Sequence, residues 1–296
     1  MSPAARAPRD RDLARAVRAS LEEDRSRSDV TSRLLGIDAR RRLDARVVAQ
    51  GRGVLSGMRA VRAIAAATGI RIVRARPDGS AIRPGLEVAR LRGPAPAILA
   101  AERTILNYLM HLSGVASATA RAVARARGAR PPLEIRATRK TLPGLRDLEK
   151  AAVVDGGGRP HRRDLSDAIL VKGNHLALLP WAEALARLAR APPPLRSTAE
   201  VEVGSARDAL RAAQAGVRSI LIDNADPPRI RAIVRALERA GLRDRVTLEA
   251  SGGITPETVP RYRRLGVDAV SLGSLTHSAR AVPFHLVWVA PGRPSA

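Results

Sequence analysis

No cysteine occurs among the 296 residues. That excludes disulfides, thiolate metal sites and a cysteine nucleophile, and it suits a reducing compartment. Aromatic side chains are nearly as scarce, with only Trp181, Trp288, Tyr108, Tyr262 and Phe284. So few rings cannot build the base-stacking platform of a single-strand nucleic-acid binder. Lysine is the third shortage: Lys and Arg total 52, yet the only lysines are Lys140, Lys150 and Lys172, and asparagine occurs only at Asn107, Asn174 and Asn224. Joint loss of Lys and Asn indicates a compositional drift toward arginine. The formal charge of +24 is read as that drift, because the arginines are scattered through Ala- and Leu-rich helical text rather than gathered in a block. No specific nucleic-acid partner is expected. Apolar runs long enough to span a membrane are missing, and the start MSPAARAPRDRDLARAV has charge without the apolar core of a leader, so a cytoplasmic protein with no membrane partner is expected.

The content that remains is ample for folding: 45% of the residues are hydrophobic, enough for one large α/β domain or two of ordinary size. Leu13, Ala16, Val17 and Leu21 recur at helical spacing and predict an amphipathic helix over Asp10–Asp24. Alternating text follows, with LDARVVAQ from Leu43, a helix over about Gly57–Thr68, and IRIVRA and LEVARLRG around a turn containing Pro77, Gly79, Pro84 and Gly85. This is a small α+β region. A helical tract from Pro96 to about Arg127, broken near Ser113 and Gly114, leads into short β runs that alternate with helices. Strands are predicted at Leu133–Ala137, Ala168–Lys172, Ala199–Val203, Ser219–Ile222, Val246–Ala250 and Ala269–Leu272, and the segment from Phe284 reads as one more strand returning to the N-terminal region. Strand–helix alternation demands a parallel sheet, either an α/β barrel, complete or partial, or a doubly wound sheet. The unusual polar residues sit at strand ends, which favours the barrel, whose active sites lie there.

Three groups of residues carry chemistry. In LEASGGITPETV, Ser251, Gly252 and Gly253 end a strand before a helix that Thr255 would cap and Pro256 would open; with Gly273 and Ser274 after the following strand, they form a candidate phosphate cradle. Glu202 and Asp223 end apolar strands in AEVEV and ILIDN, positions suited to a metal, a sugar hydroxyl, a cation or a neighbouring arginine. Glu200 shares the strand parity of Glu202 but lies one step further from the strand end, and is not assigned. The third group is cationic: Arg103, Arg139, Lys140, His161, Arg162 and Lys172 imply a strongly anionic ligand, arginine supplying bidentate clamps and lysine point charges. The sequence GlyGlyGly over 156–158 would let its loop carry His161 inward. Lys150 lies in helical text between the two assigned lysines and is read as a bystander. No nucleotide-binding glycine motif, nucleophile elbow or metal-spaced histidine set is present.

These residues resemble the quinolinate phosphoribosyltransferase family, also called nicotinate-nucleotide pyrophosphorylase. The resemblance covers nearly the whole chain: EDRSRSDVTS, AERTILNYLMHLSGVA, TRKTLPGLRDLEKAAV, the GGG-x-x-HR block, ILVKGNH, EVEV, LIDN, EASGGI and SLGSLTHS occur in the family's order. It implies an N-terminal α+β domain (1–113, completed by 276–296) and a partial, seven-stranded α/β barrel (114–275), assembled as a homodimer or higher homo-oligomer with shared active sites. The implied reaction joins quinolinate and phosphoribosyl pyrophosphate with Mg²⁺, giving nicotinate mononucleotide, CO₂ and pyrophosphate. By the same resemblance Arg103 reaches the partner's site, Thr138 is a substrate-binding residue, and Arg139, His161, Arg162 and Lys172 hold the two carboxylates of quinolinate. Lys140 and Lys172 serve the phosphoribosyl side, Glu202 and Asp223 face ribose and Mg²⁺, and Ser251, Gly252, Gly253, Gly273 and Ser274 hold the 5′-phosphate; Lys140, Lys172, Glu202 and Asp223 are the implied catalytic set. Ser26 and Ser28 stand where the family often has glycine, Ala137 where aspartate is common, and Gly173 where an acidic residue is usual. A related ModD-like pyrophosphorylase group shares TRK, PG and PHR but not the lysine of ILVK, so Lys172 favours quinolinate chemistry.

Overall fold

The computed structural model describes residues 10–129 and 132–289. Leu13, Val17 and Leu21 are all buried, on one face of helix α1 (Asp10–Glu23), as their spacing predicts. Asp29 then accepts the N–H groups of Thr31 and Ser32 and starts α2 (Val30–Leu34). Next come β1 (Arg42–Ala49), β2 (Gly53–Val54), α3 (Met58–Thr68), β3 (Arg71–Ala75), β4 (Ala81–Ile82), β5 (Glu87–Pro94) and the long α4 (Ala95–Ala126). The strand–helix rhythm begins with β6 (Glu134–Arg136), α5 (Arg146–Asp155), β7 (Leu170–Val171), α6 (Gly173–Leu176), α7 (Trp181–Arg190) and α8 (Pro193–Arg196). It continues through β8 (Glu200–Val203), α9 (Ala206–Gln214), β9 (Ser219–Asp223), α10 (Pro227–Arg239), β10 (Thr247–Ser251), β11 (Ala269–Ser271) and α11 (Ser274–His277), and ends with β12 (Phe284–Trp288). Among the described residues no helix is long and apolar enough to cross a membrane.

Two compact units result. The first holds the described residues 10–120, Leu142–Gly157 and 279–289, so α5 joins the N-terminal elements although it lies within barrel text in the sequence. Its main sheet is antiparallel in the order β12-β1-β5-β3, and β12 pairs with β1 from Ala45–Trp288 to Ala49–Phe284, the return predicted for the Phe284 segment. Leu55, Met58, Ile64, Leu91, Ile98, Ile105, Leu109 and Leu112 are its largest fully buried side chains, each stabilising the unit by about 1.5–3 kcal/mol through removal from water.

The second unit, Arg121–Thr141 and Gly158–Ser278, carries a six-stranded parallel sheet in the order β6-β11-β10-β9-β8-β7. Strands β7 to β11 neighbour one another in chain order and β6 follows β11, which is the order of an α/β barrel left open between β6 and β7. All six predicted strands exist. Among the described residues only a single bridge, Arg136 to Arg159, stands on the free side of β6. Pro160 has no N–H to extend that pairing and His161 turns into positive φ at 51°, which limits the seventh strand expected from the resemblance to one bridge.

Two further expectations are corrected. Helix α4 is not broken at Ser113 and Gly114. Those small residues serve packing: Ser113 Oγ bonds Ser56 through both its N–H and its carbonyl, and a Cβ at Gly114 would stand 2.5 Å from the Arg280 carbonyl oxygen. After SGG no α-helix forms, only a 3₁₀ turn at Val259–Tyr262. Pro260 would fall in the second turn of a helix opened by Pro256, where it removes an N–H and disfavours helical geometry at Val259.

Candidate active site

Parallel pairing brings residues that follow β6 to β11 in the sequence to one edge of the sheet. Beyond β7, Lys172 donates its backbone N–H to His175 Nδ1 (2.9 Å), and Gly173 donates to Glu202 Oε1 (3.2 Å). These bonds tie the ILVKGNH turn to β8 and leave Lys172 Nζ 3.9 Å from Glu202 Oε2, with the lysine side chain half-exposed. A Cβ at Gly173 would meet Glu202 Oε1 at 3.4 Å, an ordinary contact. One strand further, Asp223 ends β9 and accepts from Asn224 Nδ2 at 2.8 Å.

The SGG turn is fixed by backbone. Asn224 donates to the Ser251 carbonyl at 2.9 Å, Gly252 has φ 100°, and a Cβ on Gly252 would stand 2.2 Å from Asn224 Oδ1, so only glycine fits. Ser274 Oγ donates to the Ile254 carbonyl (3.1 Å) and joins this turn to the one after β11. Lys140 belongs to the same group: Thr276 Oγ1 donates to its carbonyl at 2.8 Å, and a Cβ at Gly273 would touch its Cδ at 2.9 Å. Thr138 Oγ1 accepts the Lys140 N–H at 3.1 Å. Next to β6, Arg139 and Arg162 repel each other. Burial first, then the Arg139 charge, pushes Arg162 below the usual guanidinium range. Arg162 Nη1 donates to the Ala168 carbonyl at 3.2 Å, whereas Arg139 Nε is buried without a hydrogen-bond partner. Two neighbouring guanidiniums with an unsatisfied buried donor are a site built for an anion.

His161 is placed differently from the rest of the cationic group. Its Nδ1 accepts the Arg162 N–H (2.7 Å) and its Nε2 faces Glu200 Oε2 at 3.1 Å and Glu249 Oε1 at 3.7 Å. Ser219 Oγ donates to Glu200 Oε1 at 2.9 Å, and Arg136 Nη1 donates to Glu249 Oε2 at 2.6 Å. Burial works to raise Glu200, but the donors His161 and Ser219 outweigh it and hold the carboxyl low. For Glu249, burial and then the Glu200 charge win over His161 and Arg136, and the carboxyl is pushed up.

Residues 115–287 match the model of the quinolinate phosphoribosyl transferase C-terminal domain, and residues 29–113 that of the N-terminal domain. The chain belongs to the quinolinate phosphoribosyl transferase family. Among its relatives, the probable carboxylating nicotinate-nucleotide pyrophosphorylase of Archaeoglobus fulgidus is 43% identical over 244 residues, 82% of this chain and 93% of the relative. The Homo sapiens nicotinate-nucleotide pyrophosphorylase [carboxylating] is 38% identical over 238 residues, 80% of each chain. The solved nicotinate-nucleotide pyrophosphorylase of Francisella tularensis superposes with a TM-score of 0.85 at 29% identity, covering 95% of this chain and 97% of that one.

Of the residues that the family resemblance nominates, the second unit contains all but Arg103, which stands exposed on α4 in the first unit. Within the second unit, contacts link Lys172 with Glu202, Asn224 beside Asp223 with the SGG turn, and Lys140 with Gly273. Sequence reasoning missed Arg136, Glu200 and Glu249. The parity shared by Glu200 and Glu202 was the available signal for one of them, and nothing local marks the others. Lys150, read as a bystander, is 5% exposed within α5, so it is a packed residue of the first unit.

Proposed function

We propose that this member of the quinolinate phosphoribosyl transferase family transfers phosphoribosyl from phosphoribosyl pyrophosphate to quinolinate with decarboxylation, in the cytoplasm, as a homodimer or higher homo-oligomer with shared sites. The observation that carries the reading is the Arg139–Arg162 pair, whose buried, unsatisfied donor and mutual repulsion call for a dicarboxylate at the edge that also holds Lys140, Lys172 and the SGG turn. In the reaction the ring nitrogen's lone pair forms the bond to ribosyl C1 while the C–O bond to pyrophosphate breaks, its electrons leaving with the pyrophosphate. The neighbouring carboxylate departs as CO₂, and its bonding pair stays on the ring carbon next to the cationic nitrogen until a proton replaces it. Lys140 and Lys172 neutralise phosphate charge, Glu202 and Asp223 steady the cationic ribosyl centre, and Ser251, Gly252, Gly253, Gly273 and Ser274 receive the 5′-phosphate. Glu202 and Asp223, on the neighbouring parallel strands β8 and β9, are hard oxygen donors that would hold Mg²⁺ together with substrate oxygens. Bound Mg²⁺ would supply charge neutralisation for the leaving pyrophosphate.

Turnover with quinolinate, phosphoribosyl pyrophosphate and Mg²⁺, followed by CO₂ release and nicotinate mononucleotide, tests the reading; a folded protein without product overturns it. Mixing inactive Arg103→Ala and Lys172→Ala chains tests site sharing. A shared site regains activity in the mixed oligomer, and an unshared one does not.

A further inference from the structure

His161 is a non-glycine residue at φ 51°, a left-handed conformation that costs on the order of 1 kcal/mol or more and persists only when its surroundings over-determine it. Those surroundings are on both ring nitrogens. Nδ1 accepts the Arg162 N–H at 2.7 Å and therefore carries no proton, which leaves the proton of a neutral imidazole on Nε2. That N–H meets Glu200 Oε2 at 3.1 Å. Glu249 Oε1 is 3.7 Å away and has no hydrogen-bond partner, while its other oxygen is taken by Arg136. Glu200 is in turn fixed by Ser219 Oγ at 2.9 Å and is 5% exposed.

We infer that Glu200 is a positioning residue: it locks His161 as the neutral Nε2–H tautomer, and through the Nδ1 bond to the Arg162 N–H it holds the strained turn that presents the Arg162 guanidinium beside Arg139. The inference rests on the proposed role of these arginines in binding a dicarboxylate. It adds a part that no strand-end motif contains, because Glu200 lies one alternation deeper in β8 than Glu202 and reaches the residues given to substrate only through His161.

The same three side chains could be taken for a metal cage, since ligand atoms of His161, Glu200 and Glu249 lie within 4.8 Å of one another. The hydrogen bonding argues otherwise. A ring that accepts at Nδ1 can bind a cation through Nε2 only as imidazolate, and metal-bound histidines instead donate from their second nitrogen. Arg136 already neutralises Glu249.

Ring ¹⁵N spectra of the wild type, with His161 identified by its loss in His161→Gln, test the tautomer without any substrate. The Nε2–H form is expected, and the Nδ1–H form or an imidazolium overturns the inference. Kinetics test the consequence. Glu200→Ala is expected to raise KM for the pyridine dicarboxylate by about 10–100-fold with KM for phosphoribosyl pyrophosphate within about twofold, the scale seen when an outer supporting partner is lost. Glu200→Gln should restore most of the loss, because its amide oxygen accepts from His161 and its NH₂ meets a hydroxyl at Ser219 that can turn to accept. An unchanged dicarboxylate KM, equal damage to both KM values, or no rescue by glutamine overturns the inference, as does a stoichiometric divalent metal in the purified wild type that Glu200→Ala loses. If Glu200→Ala does not fold, the wild-type tautomer and the Glu200→Gln kinetics still decide. Absence of wild-type turnover would instead strike the proposed reaction, and the tautomer measurement would stand apart from it.

Discussion

Two histidine–glutamate pairs in this chain look alike and do different work. His111 Nε2 lies 2.7 Å from Glu149 Oε1 in the first unit, and His161 Nε2 lies 3.1 Å from Glu200 Oε2 in the second. Both carboxylates are buried. Glu149 spends its other oxygen on the Leu142 N–H at 3.2 Å, so this pair fastens α4, α5 and the loop that leads into α5. Glu200 gives its other oxygen to a hydroxyl, and its histidine sits on a strained turn between two arginines. The pair itself does not identify a functional site; what the second nitrogen holds and the backbone it sits on do.

The comparison can be broken at several points. On the functional side, Lys172→Ala removes the ammonium 3.9 Å from Glu202 and is expected to lower turnover by about 10²–10³-fold, the scale for loss of one electrostatic stabiliser. Steady-state rates check it, and near-normal turnover would remove Lys172 from the machinery. On the structural side, Glu149→Gln keeps an acceptor for the Leu142 N–H only by turning its NH₂ toward His111, which must then accept through Nε2 in place of donating. That forced change of tautomer is expected to cost about 1–3 kcal/mol in denaturant unfolding with turnover per folded molecule retained. Glutamine at 200 has no such conflict, and a larger stability loss there than at 149 would reverse the comparison.

Smaller effects are expected on the same helix. Lys150→Arg places a larger head in a buried site and should cost about 1–2 kcal/mol through overpacking, read as a lower midpoint without a change in kcat; an altered kcat would extend the functional region into α5. Asp155, which accepts from Ser56 Oγ at 2.7 Å, has its carboxyl pushed up from 3.8 to about 6, first by burial and then by Asp78. The folded chain thus holds that proton more tightly than the unfolded one. Its contribution is full below about pH 3.8 and is lost as pH rises toward about 6. Asp155→Asn keeps an acceptor for Ser56 and should raise stability at pH 7.5 by on the order of 1 kcal/mol after allowance for its partial exposure, read as a higher Tm, with the gain narrowing as pH falls below 6. A gain independent of pH would remove ionisation as the cause.

Much of this was legible in the chain. The six strand positions, the return of the Phe284 segment and the strand-end residues follow from periods of burial that repeat within a few residues. Helix errors came from the same locality. Ser113 and Gly114 read as a break because nothing nearby says that Ser56 and Arg280 press against them, and Thr255–Pro256 read as a helix start although Pro260 forbids its second turn.

Sequence alone determined which residues stand at the strand ends, since period-two alternation and turn chemistry are written in neighbouring positions. Only the tertiary structure decided which buried charges face each other. His161 meets Glu200 across 39 positions and Arg136 meets Glu249 across 113, because parallel strands set distant segments side by side. Burial and hydrogen bonding depend on that separation in space, so the partners of Glu200 and Glu249 become visible only once the sheet has formed.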